Sequence, residues 1–350
     1  MKMNVPTVSV VMPVYNERPY LEESIRSVLN QSFDDFEFII VNDGSTDGSK
    51  DVMERFSDED QRIRVFHQEN QGIGTSRNRG LRLAHGKYIA VMDGDDVTHT
   101  DRFERQVRFL DENPEIGVVG TKSKYIDSEG NPHPWGHWPI PTTPEVIAWR
   151  LMFNTCLVHP SVMMRHSLIE KLGGYAEWAT PAEDYELWTR AVREMRLANL
   201  PGTLHELRRH EGSVTVSHRE QQIQNCVEAA IRLHRDILGS SADKQIVQFL
   251  VWMETRGIEE AIDRAGAVDL SAVHAHMQSL YEVHRDHFPL KEQSVRARRN
   301  ALAQLDVVAN KITEHNGWGS GTLPRMSSRL MAPSAELLPW LWRAVRERIA

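Results

Sequence analysis

KYIAVMDGDD, residues 87–96, joins a short apolar run to three aspartates grouped around one glycine. The run from Ile89 to Met92 is of the kind found in a strand that is covered on both faces, as the strands of a parallel sheet are. In open α/β sheets, ligands bind just beyond the carboxyl ends of the strands. We therefore expect Asp93, Asp95 and Asp96 to lie at the mouth of a ligand-binding crevice.

The three carboxylates also predict a bound cation. Like charges at short range raise the pKa of a carboxyl group unless a cation intervenes. Mg²⁺ or Mn²⁺ takes oxygen ligands, is commonly held by one or two carboxylates, and shares its other positions with substrate phosphates. A solvated acidic turn is the alternative interpretation, and the apolar strand directly before the acids favours a site.

Composition narrows the class of protein. The 350 residues suffice for one large domain or two ordinary ones, and 40% hydrophobic with 26% charged residues is typical of a globular protein. The formal net charge is −8, with 41 basic and 49 acidic residues, so no nucleic acid partner is expected. The two cysteines, Cys156 and Cys226, are too few for a disulfide framework and favour a reducing cytoplasm. We see no signal peptide and no apolar run of about 18 residues that would span a membrane.

Strands, polar turns and helices alternate along the first half of the chain. This alternation predicts an α/β fold with a doubly wound, mainly parallel sheet and right-handed crossovers. The predicted strands are 8–14, 36–41, 63–66, one beginning at Lys87, 116–126 and 162–164; the predicted helices are 20–29, 49–56, one ending at Ala84, 100–111, 142–153 and one opening at Ala182. The segment HPWGHWPIP, residues 133–141, is rich in proline and tryptophan and is predicted to be an ordered loop near the site.

The hydrophobic pattern of the sequence changes at about Arg219. Long amphipathic stretches follow one another without a strand between them, so we predict an α/β domain over residues 1–218 and a helical C-terminal region over residues 219–350. The predicted helical stretches are 219–238, 242–264, 270–285 and 291–313, followed by a linker over 316–333. An acceptor-side role, homo-oligomerisation and a membrane-surface role are all open for this region.

The C-terminal tail, AELLPWLWRAVRERIA at residues 335–350, places tryptophans beside arginines on a helix-like pattern. Such a helix suits the membrane–water interface, which would place the protein at the inner face of the cell membrane. The alternative is that the same apolar stripe packs on the preceding helices.

Six short motifs, taken together and in order, resemble the family-two inverting nucleotide-sugar glycosyltransferases, which have the GT-A fold. The resemblance covers residues 6 to about 217, roughly three-fifths of the chain. The motifs are PVYNE at 13–17, VNDGSTD at 41–47, GIGTSRNRG at 72–80, MDGDD at 92–96, AEDYELW at 182–188 and RRHEGSVT at 208–215.

The resemblance implies a nucleoside diphosphate sugar donor, with a UDP-sugar favoured. The motifs do not identify the acceptor, which we expect to be a cell-surface glycan or a glycolipid. It places Tyr15 on the uracil, Asp43 at its ring N–H, and Glu17 in the loop around the nucleoside. Pro13 and Gly94 complete the nucleotide-binding set that the resemblance implies.

The resemblance also assigns roles around the diphosphate and the acceptor. Asp93 would meet the ribose region and Asp95 the divalent metal, although Asp96 is an alternative metal ligand. Arg77 and His210 would contact the diphosphate or the metal. Asp184 would be the general base that removes the acceptor proton, which gives inversion at the anomeric carbon.

Other interpretations compete for the same residues. Residues 93–97 also fit the DxDx(V/T) pattern of haloacid-dehalogenase-type phosphatases, in which the first acid is a nucleophile. A sugar-phosphate nucleotidyltransferase would be expected to carry a glycine-rich, basic loop after the first strand, which PVYNE is not. A non-catalytic nucleotide-sugar-binding protein is the third alternative, and only turnover excludes it. Taken alone, Glu183 and Asp184 could also be acids that favour a helix N-terminus, and His210 could be structural.

Overall fold

The computed structural model of the chain describes residues 5–137, 140–210, 218–265 and 269–287. These residues divide into two compact units: residues up to 151 together with 155–229, and residues 152–154 together with the described residues from 230 onward. The strands are β1 Val8–Val14, β2 Phe36–Asp43, β3 Ile63–Gln68, β4 Tyr88–Val91, β5 Val97–Thr98, β6 Ile116–Ile126, β7 Pro132–His137, β8 Met163–Arg165 and β9 Arg196–Arg208. The helices are α1 Leu21–Leu29, α2 Ser49–Glu59, α3 Ile73–Leu83, α4 Arg102–Glu112, α5 Pro144–Arg150, α6 His166–Leu172, α7 Glu183–Glu194, α8 Arg219–Leu238, α9 Lys244–Arg256, α10 Ile258–Ala265 and α11 Leu270–His287.

The strands form one sheet in the order β3-β2-β1-β4-β8-β6-β9-β5, with β7 paired to β6. The half that precedes Asp96 is parallel, as predicted: β1 pairs in parallel with both β2 and β4, and β2 pairs in parallel with β3. The second half is mixed, because β8 runs antiparallel to β4 and β6 while β9 runs parallel to β6. The sheet is therefore less uniformly parallel than the alternation of elements predicts.

The core lies on both faces of the parallel half. Side chains of successive strand residues point to opposite faces, so Val8, Val10 and Met12 of β1 share one face and pack in a cluster with residues of α1, α2 and α4. On the other face α3 lies so close that a Cβ added at Gly80 would be 2.4 Å from Val11 Cγ1. Each fully buried aliphatic side chain of this kind contributes roughly 1.5–3 kcal/mol.

The structure differs from the sequence predictions in four places. The predicted loop at 133–141 contains strand β7, and the strand β9 was not predicted at all. Helix α5 is shorter than the predicted 142–153, and the stretch 242–264 is divided into two helices at Gly257, whose φ is +93°. Proline and glycine explain most of these differences, because both residues occur in edge strands, bulges and breaks as well as in loops.

Helices α8 to α11 follow the sheet, as the amphipathic pattern predicts. In the second unit, Nδ1 of the buried His234 lies 2.9 Å from Nε2 of His276, and its Nε2 lies 2.8 Å from the carbonyl oxygen of Met152. None of the helices in the described ranges is long and apolar enough to cross a bilayer. The predicted helix 291–313, the linker 316–333 and the tail 335–350 lie outside the described residues.

Gly86 provides a test of the close packing that positions β4. Its N–H donates to Ser9 Oγ (2.8 Å), and an added Cβ would lie 2.5 Å from the backbone nitrogen of Ser9, where little can shift. We expect Gly86→Ala to lower the free energy of unfolding, measured with urea, by roughly 1–3 kcal/mol.

Gly202→Ala is the matched control, because a Cβ there meets only ordinary contacts from 3.4 Å outward, the nearest being the end of the Arg105 side chain. The control should change stability by about 0.5 kcal/mol or less. Equal effects of the two substitutions would contradict the packing of β4 on β1.

Candidate active site

Polar loops follow the carboxyl ends of β1, β2 and β4, which lie side by side in the sheet. The loop after β1 is tied to the loop after β2: Asn16 Oδ1 accepts from the Thr46 N–H (2.8 Å), and the Glu17 N–H donates to Ser49 Oγ (3.1 Å). Asn16 has a φ of +56°, a conformation that asparagine tolerates better than most residues. The loop thereby leaves Tyr15 exposed and holds Glu17 in a defined position.

Asp43, predicted to read the base, lies buried at the end of β2. Its Oδ1 accepts from Gln68 Nε2 (2.8 Å) and from the Gln71 N–H (2.9 Å), and its Oδ2 accepts from the Gly72 N–H (2.8 Å). Asp43 therefore shapes the loop that leads into α3. Since each carboxylate oxygen can accept two hydrogen bonds, Oδ2 retains capacity for a ligand donor.

Arg77, on α3, joins two acids from different parts of the chain. Its buried guanidinium donates to Asp93 Oδ1 (2.9 Å) through Nη2 and to Glu183 Oε1 through Nη1. The motifs predict Arg77 at the diphosphate or the metal and predict no role in the site for Glu183. Removing one partner of a buried ion pair leaves an uncompensated charge and typically costs about 3–5 kcal/mol. Arg77 thus connects the acidic loop after β4 to the start of α7.

Asp96 has its own buried partners. Its Oδ1 accepts from the Arg208 N–H (2.8 Å), and its Oδ2 lies 2.9 Å from His205 Nε2. Burial, followed by the negative charges of Asp95 and Asp93, raises the pKa of Asp96 well above its usual range. Both oxygens of Asp96 are directed into the protein, so Asp96 is the weaker candidate for a metal ligand.

Glu17, Asp95 and His210 form the cluster in which a cation fits. Each offers one ligand atom, these atoms lie within 4.8 Å of one another, and His210 Nε2 is 3.0 Å from Asp95 Oδ2. Burial and the charges of Asp95 and Asp93 raise the pKa of Glu17 to about 8, as expected where negative charge is concentrated. Two carboxylate oxygens and one imidazole nitrogen suit Mn²⁺ or Mg²⁺. The glycine at position 94 permits this approach, because a Cβ there would lie 3.3 Å from Glu17 Cγ.

Asp184 lies in the first turn of α7 and is partly exposed, unlike the buried Glu183 beside it. Burial and the charge of Glu183 raise its pKa to about 6, a value that suits a general base near neutral pH. The chain leading into α7 is held by Asn225 of α8, whose Nδ2 donates to the carbonyl oxygens of Ala179 (3.0 Å) and Thr180 (2.8 Å). Nothing in the amphipathic pattern of α8 distinguishes Asn225 from an ordinary surface residue.

The remaining nucleotide-binding candidate, Pro13, lies within β1 opposite Val41 of β2.

Arg208 is named in the sequence analysis only as part of a motif, yet its side chain holds the loop after β4 that carries the acids. Its Nε donates to the Asp95 carbonyl oxygen (2.8 Å) and its Nη2 to Glu23 Oε2 (2.6 Å).

Comparisons with known proteins show the family and the fold of the chain. The profile of the family described as Glycosyl transferase family 2 matches residues 9–173. An uncharacterised glycosyltransferase of Haemophilus influenzae is 32% identical over 232 residues, which cover 63% of this chain and 70% of that protein. An uncharacterised glycosyltransferase of Methanocaldococcus jannaschii is 35% identical over 201 residues, 55% of this chain and 66% of that protein. The alignments thus span about two thirds of the length of these two relatives.

Two solved structures share the fold. The crystal structure of S. aureus TarS 1–349 in complex with UDP-GlcNAc matches with a TM-score of 0.59 at 19% identity, covering 92% of this chain and 94% of that one. Mannosyltransferase PcManGT from Pyrobaculum calidifontis, in complex with GDP-Man and Mn²⁺, matches with a TM-score of 0.53 at 20% identity, covering 91% and 89%.

The fold and the comparisons together define a glycosyltransferase with the GT-A fold, as the motifs predicted. The chain belongs to glycosyltransferase family 2.

The contrast between Asp95 and Asp96 can be tested directly. We expect Asp95→Asn to weaken the binding of Mn²⁺, followed by electron paramagnetic resonance, by about tenfold or more, because it removes the charge of a ligand oxygen. Asp96→Asn should lower the melting temperature instead, because it disturbs a buried network with His205 and Arg208.

Asp51→Asn, on the exposed side of α2, serves as the control and should change neither quantity. If Asp96→Asn abolished Mn²⁺ binding in a protein of unchanged stability, the roles of the two aspartates would be reversed.

Proposed function

We propose that this glycosyltransferase is an inverting, metal-dependent enzyme that moves a sugar from a nucleoside diphosphate sugar to an acceptor hydroxyl. One observation carries the proposal. Glu17, Asp95 and His210 form a group of ligands of the size that holds a cation, and the Arg77 guanidinium connects the loop that carries Asp95 to the start of α7, which carries Asp184, a carboxylate with a pKa of about 6. The ligand group is suited to a cation that binds a diphosphate, and Asp184 is suited to accept the proton of an acceptor hydroxyl.

On the donor side, Glu17, Asp95 and His210 would hold Mn²⁺ or Mg²⁺. When bound, such an ion neutralises charge on the departing nucleoside diphosphate. The exposed ring of Tyr15 is free to stack on the base, and Asp43 would accept its ring N–H. We favour UDP because Tyr15 and Asp43 match the base-reading positions of the family; TarS has been crystallised with UDP-GlcNAc, whereas PcManGT has been crystallised with GDP-Man. Pro13, Gly94, Asp93 and Arg77 complete the donor site that we propose.

On the acceptor side, Asp184 would take the proton from the attacking hydroxyl. The oxygen then bonds to the anomeric carbon as the bond to the diphosphate breaks on the opposite side, so the configuration inverts. The phosphatase alternative, which would make Asp93 the nucleophile, leaves Asp184 without a role and does not agree with membership of family 2. A binding protein without turnover differs from our proposal only in the result of the assays below.

The acceptor we propose is a cell-surface glycan or a glycolipid, made from the cytoplasmic side of the membrane. Both cysteines are free thiols, which agrees with a reducing compartment.

Peripheral membrane contact through the tail at 335–350, and a homo-oligomer, remain predictions about the C-terminal region. Co-sedimentation with anionic liposomes, comparing the full chain with one ending at Ser334, tests the membrane contact, which fails if both stay in the supernatant.

Donor binding is expected to require the divalent cation. In calorimetric titrations, UDP should bind the protein orders of magnitude more tightly with Mn²⁺ than with EDTA, because two carboxylates otherwise repel the diphosphate. UDP should also bind more tightly than GDP. Equal UDP affinity with and without EDTA would contradict the metal site, and tighter binding of GDP would contradict the proposed base recognition.

Asp184→Asn is expected to separate chemistry from binding. The amide is nearly isosteric but cannot accept the proton, so kcat should fall by about 10²- to 10⁴-fold while UDP affinity stays within a factor of about three. A proportional loss of UDP affinity would make Asp184 a ligand or a structural residue.

The pH dependence follows from the same residue. The base works in its deprotonated form, so wild-type kcat/KM should fall as the pH drops through about 6, the pKa to which burial and Glu183 raise Asp184. The residual rate of Asp184→Asn should lack this acidic limb. A limb that persists unchanged in the variant would assign the titration to another group.

A further inference from the structure

An exposed tryptophan stands on the second half of the sheet without a role in the donor site. Trp135, on β7, is 63% exposed. Its ring is held edge-on by Tyr125 of β6 (centroids 5.5 Å apart, 87°) and by His133 (4.9 Å, 74°), and the guanidinium carbon of Arg209 lies 5.3 Å from the ring centroid. We call these four residues the Trp135 cluster.

The contacts hold the indole in place without burying it. Edge-to-face ring pairs and a cation over an aromatic ring are each stabilising arrangements. Arg209 also lies over the Tyr125 ring (5.0 Å), and no carboxylate in the described ranges pairs with it. The cluster therefore combines an exposed apolar ring, held by its aromatic neighbours, with a cation for which the described residues provide no acidic partner.

Backbone connections join the cluster to the candidate metal site. The Arg209 N–H donates to the Ile126 carbonyl oxygen (2.8 Å), and the next residue, His210, lies 3.0 Å from Asp95. Arg208 bridges the Asp127 carbonyl oxygen (3.1 Å) and the Asp95 carbonyl oxygen (2.8 Å). The turn between β6 and β7 is thus fixed to the loop that carries the acids.

We propose that the Trp135 cluster binds a pyranose ring of the acceptor glycan, an inference that rests on the proposed glycosyl transfer. One face of a pyranose presents C–H groups that stack on an exposed indole, and its rim presents hydroxyls or a carboxylate. Arg209 supplies donors for that rim, and His133 is a second polar neighbour of the ring. An extended apolar surface would suit a protein partner better, whereas one ring beside a cation matches the size and mixed polarity of a sugar.

The cluster is assigned to the acceptor and not to the donor because of its place in the sheet. The proposed base, ribose and diphosphate contacts follow β1, β2 and β4, in the parallel half. The cluster belongs to β6, β7 and the end of β9, in the mixed half.

The test compares Trp135→Leu, which keeps an apolar side chain without the ring, with Trp135→Phe, which keeps a flat ring. Labelled full-length protein is applied, without nucleotide, to an array of neutral, N-acetylated and uronic-acid-containing oligosaccharides. We expect wild-type binding to at least one glycan class, about tenfold weaker binding by Trp135→Leu, and binding by Trp135→Phe within about threefold of wild type. Arg209→Gln should also weaken binding, most strongly for the acidic glycans.

The donor side is measured separately, as UDP binding with Mn²⁺, and should be the same in all four proteins. Failure of UDP binding in the wild type would count against the proposed function, whereas the array result does not depend on a donor. The acceptor proposal is overturned if the wild type binds no glycan on the array, or if Trp135→Leu binds as well as wild type. It is likewise overturned if the cluster variants bind the glycans as well as wild type does but bind phosphatidylglycerol vesicles more weakly, which would make the cluster a membrane contact.

Discussion

Repulsion between the carboxylates that follow β4 is the constraint on which the site depends. Asp93 is paired with Arg77, and Asp96 is held by the Arg208 N–H and His205, so each has partners supplied by the protein. Among the described residues, the Asp95 carboxylate lies beside that of Glu17, and its Oδ2 is 3.0 Å from His210 Nε2. A diphosphate brought to this place would add further negative charge. A divalent cation would offset the repulsion between the carboxylates and also the negative charge of the diphosphate. We therefore expect the donor and the metal to bind together.

The same repulsion between carboxylates explains why residues more than a hundred positions further along the chain contact these acids. Strand β9 runs beside β6 and ends at Arg208, which brings His205 and the Arg208 backbone to Asp96 and carries His210 to Asp95. Pro201 and Gly202 form a bulge in this strand, since Thr121 and Lys122 of β6 pair with Leu200 and Thr203. The parallel half of the sheet therefore supplies the acids and Arg77, and the end of β9 in the mixed half supplies the partners of Asp95 and Asp96.

Most of the parallel half could be predicted from sequence because β1, β2 and β4 are buried apolar runs that are followed by polar residues. Strand β1 was predicted with the bounds that the structure has, and β2 differs only in extending to Asp43. Strands β7 and β9 could not be predicted in the same way, because PHPWGH and RLANLPGTLHELR mix proline, glycine and polar residues that read as loops. The motifs identified Arg77 and His210 as well as the acids of the site, but not which acid each of them contacts. Arg77 and Glu183 are 106 positions apart, so their pairing is a property of the fold and of no local pattern. For the same reason, the choice between Asp95 and Asp96 required the structure.

Anomalous diffraction from crystals grown with UDP and Mn²⁺ tests whether the cation binds at Asp95 and not at Asp96, because it locates the ion without reference to activity. The account predicts an anomalous peak within coordination distance of Asp95, His210 and Glu17, and a diphosphate on the same ion. Asp96 should keep its contacts with His205 and Arg208. A peak coordinated by Asp96, or a well-ordered UDP without an ion beside Asp95, would contradict the account.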